Sequence, residues 1–378
     1  MTDPTDLSTR AASLSARLGV SHAAAELTLD AHVIDLHIDT LIPPRLWGYD
    51  PLRPHGLGLL RGHFFGHLDV PRALEGGLSG AMWSITTNPF RSARARWAVF
   101  QRNVDALRAL LERGSAHVGL ARTHQEYLDV VASGRHAVMP AIQGGNALEA
   151  APGGLDAALG DLLTRVTLVH LTNSVYGATS SPASWLRRDR GLSEAGRALV
   201  AQLNARRVFV DLAHIHPVAF WQAVEAHDRS LPMIATHTGV CGIKPHWRNL
   251  DDAQIRTIAE SGGVVGVIFA SVFLARRGGP RGPECVVEHM EHVARVGGDA
   301  AVALGSDYDG AITPPRGLRD GVAYARLVDA MLRRGWSEAR VRGALGTNFL
   351  ASFARLRPGL PAGHRASAPN VTPSSTWS

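Results

Sequence analysis

Val33-Ile-Asp-Leu-His-Ile-Asp39 is a short apolar run that ends in two polar side chains, His37 and Asp39. In an extended strand successive side chains alternate between the two faces, so residues at i and i+2 point the same way. An imidazole and a carboxylate then converge at the end of a strand, which suits a divalent metal such as zinc. The alternative is that His37 and Asp39 lie at the surface and bind no ligand. The residues at the ends of the other strands distinguish these two interpretations.

Seven further short apolar segments follow along the chain, mostly separated by helical patterns. The eight predicted strands cover 33–37, 80–86, 137–143, 166–170, 207–214, 232–237, 263–269 and 301–307. Such continuous apolar runs are typical of parallel strands that are buried on both faces. Eight strands that mostly alternate with helices predict an α/β fold, a (β/α)8 TIM barrel.

We expect one barrel domain over 31–357, because α/β barrels of this size are common single domains. An amphipathic lead-in helix over 1–30 is predicted to precede it. The tail over 358–378 is rich in Pro, Ser and Thr and is predicted to be disordered. Further helices are predicted at 91–114, 154–163, 193–205, 217–227, 251–261, 284–297, 319–333 and 337–357.

The net charge of +6 comes from dispersed arginines, since Lys244 is the only lysine. Without a basic run interleaved with aromatic residues, nucleic-acid binding is not expected. No apolar run approaches the roughly 20 residues of a membrane span, and the first residues do not resemble a signal peptide. We therefore expect a cytoplasmic protein without membrane contact. Cys241 and Cys285 fit a reduced compartment, although a disulfide between them stays open.

Polar side chains end most of the predicted strands. Beyond His37 and Asp39, they are Gln143, His170, His214, His237, Asp307 and Asp309. In a (β/α)8 barrel the carboxyl ends of all strands meet at one face, where reactive groups lie. Each histidine alone could be structural, but the joint pattern predicts a basin that binds a metal or formerly bound one. The histidines of loop 41–68 could form a second site or face solvent or substrate.

The chain also carries family motifs from about residue 30 to 355. They are DLHIDT (35–40), HLDVPRALEGGLSGAMWS (67–84), QGGNAL (143–148), HLTNS (170–174), GLSEAGRALVAQLN (191–204), DLAH (211–214), THT (236–238), RNL (248–250), GSDYDG (305–310) and GTNF (346–349). In these motifs the chain resembles the membrane (renal) dipeptidase family, peptidase family M19, among the metal-dependent amidohydrolase-like barrels. The resemblance implies hydrolysis of dipeptides, including ones with a D-residue second, by metal-activated water.

The resemblance also implies roles for single residues. Two zinc ions would be held by His37 and Asp39 on one side, by His214 and His237 on the other, and by a carboxylate after the third strand. His170 would assist the tetrahedral intermediate. Arg248 would bind the substrate carboxylate, for which its two-pronged guanidinium is suited, a surface role being the alternative. Asp307 would contact the substrate amine or manage the proton, and a homodimer is expected.

The position of the bridging glutamate is occupied by Gln143. A carboxylate offers one oxygen to each metal, whereas a neutral amide has one acceptor oxygen and an NH2 group that cannot ligate. Two zinc ions would lose their shared anion. The site could therefore bind two metals weakly, bind one, or bind none.

A smaller departure concerns Tyr176-Gly-Ala-Thr179, where the family has an aromatic residue followed by Ala-Asp-Ser or Ala-Asp-Asn. It bears on substrate specificity, and Tyr176 is predicted to bind substrate. Asp309 is a further candidate for substrate binding, or it caps the turn before Gly310. Lys244 lies in the loop after the sixth predicted strand, so a carboxylated lysine at a strand end is not expected to bridge metals here.

Three functions follow from these observations. The first is a zinc-dependent dipeptidase. The second is a repurposed enzyme of the same fold, with one metal or none, that acts on another small amide or carboxylate in a biosynthetic pathway. The third is a non-catalytic protein that keeps the pocket for binding.

Overall fold

The computed structural model describes residues 4–152, 154–155, 162–182 and 190–359. These residues contain nine strands in one parallel sheet, namely β1 (Val33–Ile38), β2 (Leu78–Thr86), β3 (Val118–Leu120), β4 (His136–Gln143), β5 (Arg165–Thr167), β6 (Phe209–Asp211), β7 (Ala235–Thr238), β8 (Val265–Val267) and β9 (Val302–Leu304). Eight of them follow the order β6-β5-β4-β2-β1-β9-β8-β7 around a nearly closed barrel. A parallel β-bridge between Asp211, the last residue of β6, and Ile234, directly before β7, connects the first and last strands of this order. The predicted (β/α)8 barrel is confirmed.

All eight predicted strands are present, and β3 is an addition. Val118–Leu120 pairs in parallel with His136, Ala137 and Val138 at the beginning of β4. It stands outside the ring order of the other eight strands. Three residues with a central glycine do not form the apolar run by which the longer strands can be recognised.

The described helices mostly match the predicted ones. They are Pro4–Leu18, His22–Asp30, Ile42–Trp47, Val70–Glu75, Ala93–Arg113, His124–Ala132, Glu194–Ala205, Pro217–Ala226, Asp252–Glu260, Ser271–Leu274, Glu284–Gly297, Tyr324–Arg333, Glu338–Arg342 and Asn348–Leu356. No helix in the described ranges is long and apolar enough to cross a bilayer. The predicted helix over 154–163 lies largely outside the described residues, as does the tail beyond 359.

Capping explains two of the helix boundaries. The segment predicted as one lead-in helix contains two, because the Ser21 side chain accepts a hydrogen bond from the Ala24 N–H and begins a new helix. Ser193 caps its helix as predicted, by accepting from the Gly196 N–H at 3.0 Å. The last predicted helix is interrupted at Gly343–Thr347 by a π-helical turn.

The barrel strands are buried along almost their whole length, and every residue of β1 and β4 is buried. This explains why parallel strands with both faces covered read as continuous apolar runs. The polar residues that follow the strands lie together at the carboxyl end of the barrel, around its mouth. The fold thereby places side chains from six strand ends over one basin.

Candidate metal centre

Four predicted histidines meet at the carboxyl end of the barrel. His214 Nε2 lies 2.9 Å from His237 Nε2, and the ring centroids of His37 and His237 are 3.8 Å apart. The His170 ring contacts His214 edge-on, with 4.7 Å between centroids. All four side chains are buried. Imidazoles from β1, β7 and the segments after β5 and β6 therefore share one basin.

Two carboxylates join the histidines. His37 Nε2 lies 3.5 Å from Asp307 Oδ1 and 3.7 Å from Asp39 Oδ2. One ligand-type atom from each of His37, His237 and Asp307 lies within 4.8 Å of the other two. The resemblance placed Asp307 on the substrate side, and the structure adds it to the residues that could hold an ion.

Gln143 lies between the pair His214 and His237 on one side and Asp39 on the other. Its amide nitrogen is 3.4 Å from Nε2 of both His214 and His237. Its Oε1 is 3.0 Å from Thr86 Oγ1, and the same hydroxyl donates to Asp39 Oδ1. A neutral amide therefore lies among these candidate ligands, and it has no charge to share between two cations.

The donor atoms of the basin fit a divalent cation. His37 Nε2 and Asp307 Oδ1 are buried and have no hydrogen-bond partner among the described residues. Buried polar atoms without a partner are rare in proteins, so each one calls for an explanation such as an ion. Imidazole nitrogens and a carboxylate oxygen are the ligands that zinc binds. The residues present are thus compatible with the metal that the sequence predicts.

Asp211 holds the loop that carries His214. Its Oδ1 accepts hydrogen bonds from the backbone N–H groups of Ala213 at 3.1 Å and Thr236 at 3.0 Å. His214 itself has a φ of 65°. A non-glycine residue in this left-handed region costs energy and needs its surroundings to hold it there. The bonds to Asp211 supply that support, because Ala213 directly precedes His214 and Thr236 directly precedes His237.

Asp35, in β1, likewise holds the backbone beside two candidate ligands, His37 and Asp307. It accepts from the backbone N–H groups of His37 at 3.0 Å and Ser306 at 2.8 Å, and from the Tyr324 hydroxyl at 2.6 Å. Asp307 follows directly with a φ of 64°. Neither Asp35 nor Asp211 was among the predicted site residues, although a carboxylate inside an apolar strand was the available signal.

Arg165 is a further residue that the sequence interpretation missed. It is fully buried, with Nη2 3.0 Å from His37 Nδ1 and 2.8 Å from Ser84 Oγ. Its Nη1 donates to Thr167 Oγ1 at 2.6 Å and lies 3.5 Å from Asp211 Oδ2. The predicted strand began at 166, one residue too late to include this arginine, whose charge at the start of an apolar run was the signal.

Burial controls the protonation of the basin. It lowers the pKa of His170 to about 4 and holds the pKa of His214 and His237 well below the usual value, with the positive charge of Arg248 adding to the effect. Burial and the neighbouring charge of Asp39 raise the pKa of Asp307 well above its usual value. The imidazoles are therefore neutral at neutral pH, the form in which histidine binds a metal.

Arg248 is buried beside the histidines. Its Nη2 donates to the backbone carbonyl of His237 at 2.5 Å, while its Nε has no partner among the described residues. Burial lowers the pKa of Arg248 to about 10, so the guanidinium stays charged at neutral pH. A fixed cation with an unused donor at this place is suited to bind an anionic group.

Two further residues that the sequence predicts to bind substrate are Asp309 and Tyr176. Asp309 Oδ1 accepts from the backbone N–H groups of Gly66 at 2.8 Å and His67 at 2.9 Å, so this carboxylate anchors loop 41–68. The His67 ring accepts in turn from the Asp309 N–H at 2.9 Å, which gives this loop histidine a structural role. Tyr176 is half-buried with its ring beside Gly145, next to the turn after β4.

Comparison with known proteins gives a family match over most of the chain. The model of the membrane dipeptidase family (peptidase family M19) matches residues 22–356. The chain is also similar to dipeptidase verJ of Clonostachys rogersoniana, with 29% identity over 339 residues, 86% of this chain and 84% of that protein.

Solved structures of similar proteins share the barrel. Dipeptidase AC, a metallopeptidase of family M19, superimposes with a TM-score of 0.76 at 27% identity, over 87% of this chain and 99% of the other. A metallopeptidase from Rhodobacter sphaeroides, liganded with a phosphinate mimic of the dipeptide L-Ala-D-Ala, gives 0.72 at 26% identity, over 86% and 99%. The barrel and the match over residues 22–356 agree. The chain belongs to the membrane dipeptidase family, peptidase family M19.

Proposed function

We propose that this protein is a zinc-dependent dipeptidase that hydrolyses the amide bond of small dipeptides. The observation that carries the proposal is the convergence of donor atoms from His37, His214, His237 and Asp307 in one buried basin. Membership of a family of metal-dependent dipeptidases supports the class of reaction.

The ligands of the ion are drawn from these four residues together with Asp39, and Gln143 offers a neutral amide oxygen. A divalent ion held there supplies Lewis-acid polarisation of a carbonyl and a lowered pKa for water. The candidate ligands are all buried side chains. Electrostatic interactions in such a site are stronger than in water.

The remaining residues orient the substrate. Arg248 binds the free carboxylate of the dipeptide through its guanidinium, whose Nε–H has no partner among the described residues. The Asp307 carboxylate accepts from the free amine at the opposite end. His170, edge-on to His214, donates an N–H to the oxygen on which negative charge develops. Tyr176 lines the substrate side near the turn after β4.

We further propose that the second residue of the substrate can be a D-amino acid. The support comes from the Rhodobacter sphaeroides relative, which is liganded with a phosphinate mimic of L-Ala-D-Ala. The homodimer and the cytoplasmic location stay predictions.

Gln143 favours a second candidate function. Because its amide contributes no negative charge at the position of the bridging carboxylate, metal binding is weaker than a glutamate would allow. A repurposed enzyme that uses one metal or none on another small amide or carboxylate substrate is the alternative, as is a binding protein without catalysis.

The test removes and restores the metal. Full-length protein is stripped with a chelator, reloaded with zinc and assayed with L-Ala-L-Ala and L-Ala-D-Ala. We expect hydrolysis only after reloading. The Gln143→Glu variant, treated in parallel, serves as the comparison. Turnover by the wild type supports the dipeptidase, whereas turnover by the variant alone favours the second candidate.

A further inference from the structure

We propose that a cavity outside the metal basin binds a small molecule that carries a diphosphate group. The cavity has a volume of about 560 Å3 and is lined by residues of helix Pro4–Leu18, loop 41–68 and the segment 316–326. Pockets for small ligands typically have volumes of about 300–1,000 Å3. The described residues that line it include none of the candidate metal ligands, so the proposal goes beyond the hydrolysis of dipeptides.

Four of the residues that line the cavity are arginines. They are Arg17, Arg316, Arg319 and Arg326. A cleft lined by charges of one sign focuses its field and concentrates counter-ions. Guanidinium groups are suited to phosphate, because their planar fork of N–H donors can make two parallel hydrogen bonds to it. The wall of the cavity therefore favours an anion.

The acids near the cavity neutralise only part of this charge. Arg17 pairs with Glu75, and Asp320 Oδ1 lies 3.2 Å from Arg72 Nη1. The other three arginines of the wall form no ion pair with any residue that the structure describes. Their positive charges are therefore left without a counter-charge from this part of the protein.

The backbone fixes Arg326 at the cavity without neutralising it. Its Nε donates to the Leu18 carbonyl at 3.2 Å, and its Nη1 donates to the Gly317 carbonyl at 3.3 Å. Gly317 has a φ of 86°, and a Cβ at this position would lie 3.1 Å from Arg326 Nη1. The glycine therefore lets the guanidinium approach the chain closely. These contacts hold a charged group in place before a ligand binds, which lowers the entropy cost of binding.

Arg319 and Arg316 supply donors that the fold does not use. Arg319 Nε is buried and has no hydrogen-bond partner among the described residues. Buried polar atoms without a partner are rare, so this one calls for an explanation such as a ligand. Arg316 is exposed, and its side chain makes no hydrogen bond within the described ranges. Both guanidinium groups are available to an anion in the cavity.

The charge of the cavity favours a diphosphate over a single carboxylate. A phosphate group carries about −1.5 to −2 charges near neutral pH, so two linked groups match three arginines better than one carboxylate does. The wall also contains Leu18, Leu57 and Ala323. These side chains offer apolar surface to an organic group attached to the diphosphate.

One wall of the cavity lies outside the family match. Helix Pro4–Leu18 supplies Arg17 and Leu18, whereas the family model matches residues 22–356. The features that define the family therefore do not include this wall.

Calorimetric titration of the full-length protein with inorganic pyrophosphate, phosphate and malonate tests the proposal. We expect pyrophosphate to bind with a dissociation constant of about 1 mM or lower, and the other two anions to bind about tenfold more weakly or worse. Arg316→Gln combined with Arg319→Gln should weaken pyrophosphate binding by about tenfold or more, because charge-assisted hydrogen bonds are lost. The control is Arg256→Gln, at an exposed position of helix Asp252–Glu260. It should change the affinity by less than about twofold, since distant surface charges are screened.

Further outcomes show whether pyrophosphate binds elsewhere. Because pyrophosphate also binds divalent metals, His214→Ala is titrated in parallel and should keep the wild-type affinity. Loss of binding in His214→Ala but not in the double variant would overturn the proposal, as would an equal loss in Arg256→Gln. Absence of pyrophosphate binding by the wild type would contradict it outright, and equal affinity for malonate would overturn the assignment to phosphate.

A crystallographic measurement needs no variant. Crystals of the wild-type protein soaked in tungstate, a tetrahedral oxyanion like phosphate, should give an anomalous peak beside Arg319 and Arg326. No peak in the cavity would overturn the proposal, wherever else tungstate binds. The dipeptidase proposal does not depend on either result.

Discussion

Replacing Asp211 with alanine is expected to destabilise the protein by about 3–5 kcal/mol, the cost typical of breaking a buried ion pair from one side. Asp211 is fully buried. It accepts from Thr167 Oγ1 at 2.5 Å and from Thr236 Oγ1 at 2.8 Å, besides the backbone N–H groups of Ala213 and Thr236. Its removal leaves the Arg165 guanidinium, 3.5 Å away, without its nearest carboxylate inside the barrel.

Denaturant unfolding measures this effect, with Asp105→Ala as the control. Asp105 is exposed, and its contact with Arg108 spans 3.5 Å at the surface. The control should change the free energy of unfolding by less than about 0.5 kcal/mol. Equal stability losses in the two variants would mean that Asp211 does not organise the barrel mouth.

Replacing Arg248 with methionine is expected to reduce kcat/KM for dipeptides by about 10²- to 10⁴-fold. Two charge-assisted hydrogen bonds to a carboxylate are lost, each worth about 1.5–3 kcal/mol. Methionine keeps much of the buried volume of the side chain, which is only 3% exposed. The bond from Arg248 to the His237 carbonyl is lost as well, so the variant also perturbs the metal side.

A second substrate separates these two effects. A dipeptide amide lacks the free carboxylate, so its kcat/KM should fall by less than about tenfold in Arg248→Met, the loss that comes from the His237 contact alone. Arg248→Lys keeps the charge without the planar fork and should recover only part of the activity on dipeptides. If both substrates lose activity equally, Arg248 does not recognise the carboxylate.

The barrel could be predicted because its strands are buried on both faces. Every residue of β1 and β4 is buried, and so each strand appears in the sequence as a largely apolar run. The positions of His37, His214 and His237 followed from the same rule, since the carboxyl ends of barrel strands meet at one mouth. The short β3 has no such run, and it was missed.

The protonation of the site depends on contacts that no local pattern contains. Arg165 in β5 reaches His37 in β1 across the interior of the barrel, and Asp211 reaches His237 through Thr236. The sequence gives the order of these residues, but it does not show which ring nitrogen of each histidine a neighbouring side chain contacts. These contacts behind the two imidazoles can therefore be seen only in the folded chain.

The two aspartates after β9 illustrate the same limit. Asp307 and Asp309 both have a φ of 64°, but Asp307 faces His37 in the basin whereas Asp309 lies against His67 of loop 41–68. Asp309 turns away to accept the backbone N–H groups of Gly66 and His67. The sequence places the two carboxylates two residues apart on one strand end, but the left-handed backbone sends them in different directions.

The central claim is that the mouth of the barrel is a divalent-metal site. Crystals of the zinc-loaded protein, measured on both sides of the zinc absorption edge, test it most directly. We expect anomalous density in the basin, bonded to Nε2 of His214 and His237 at about the 2.0–2.1 Å of a zinc–nitrogen bond. A zinc-loaded crystal with no peak in the basin, or with zinc bound only elsewhere on the chain, would contradict the claim.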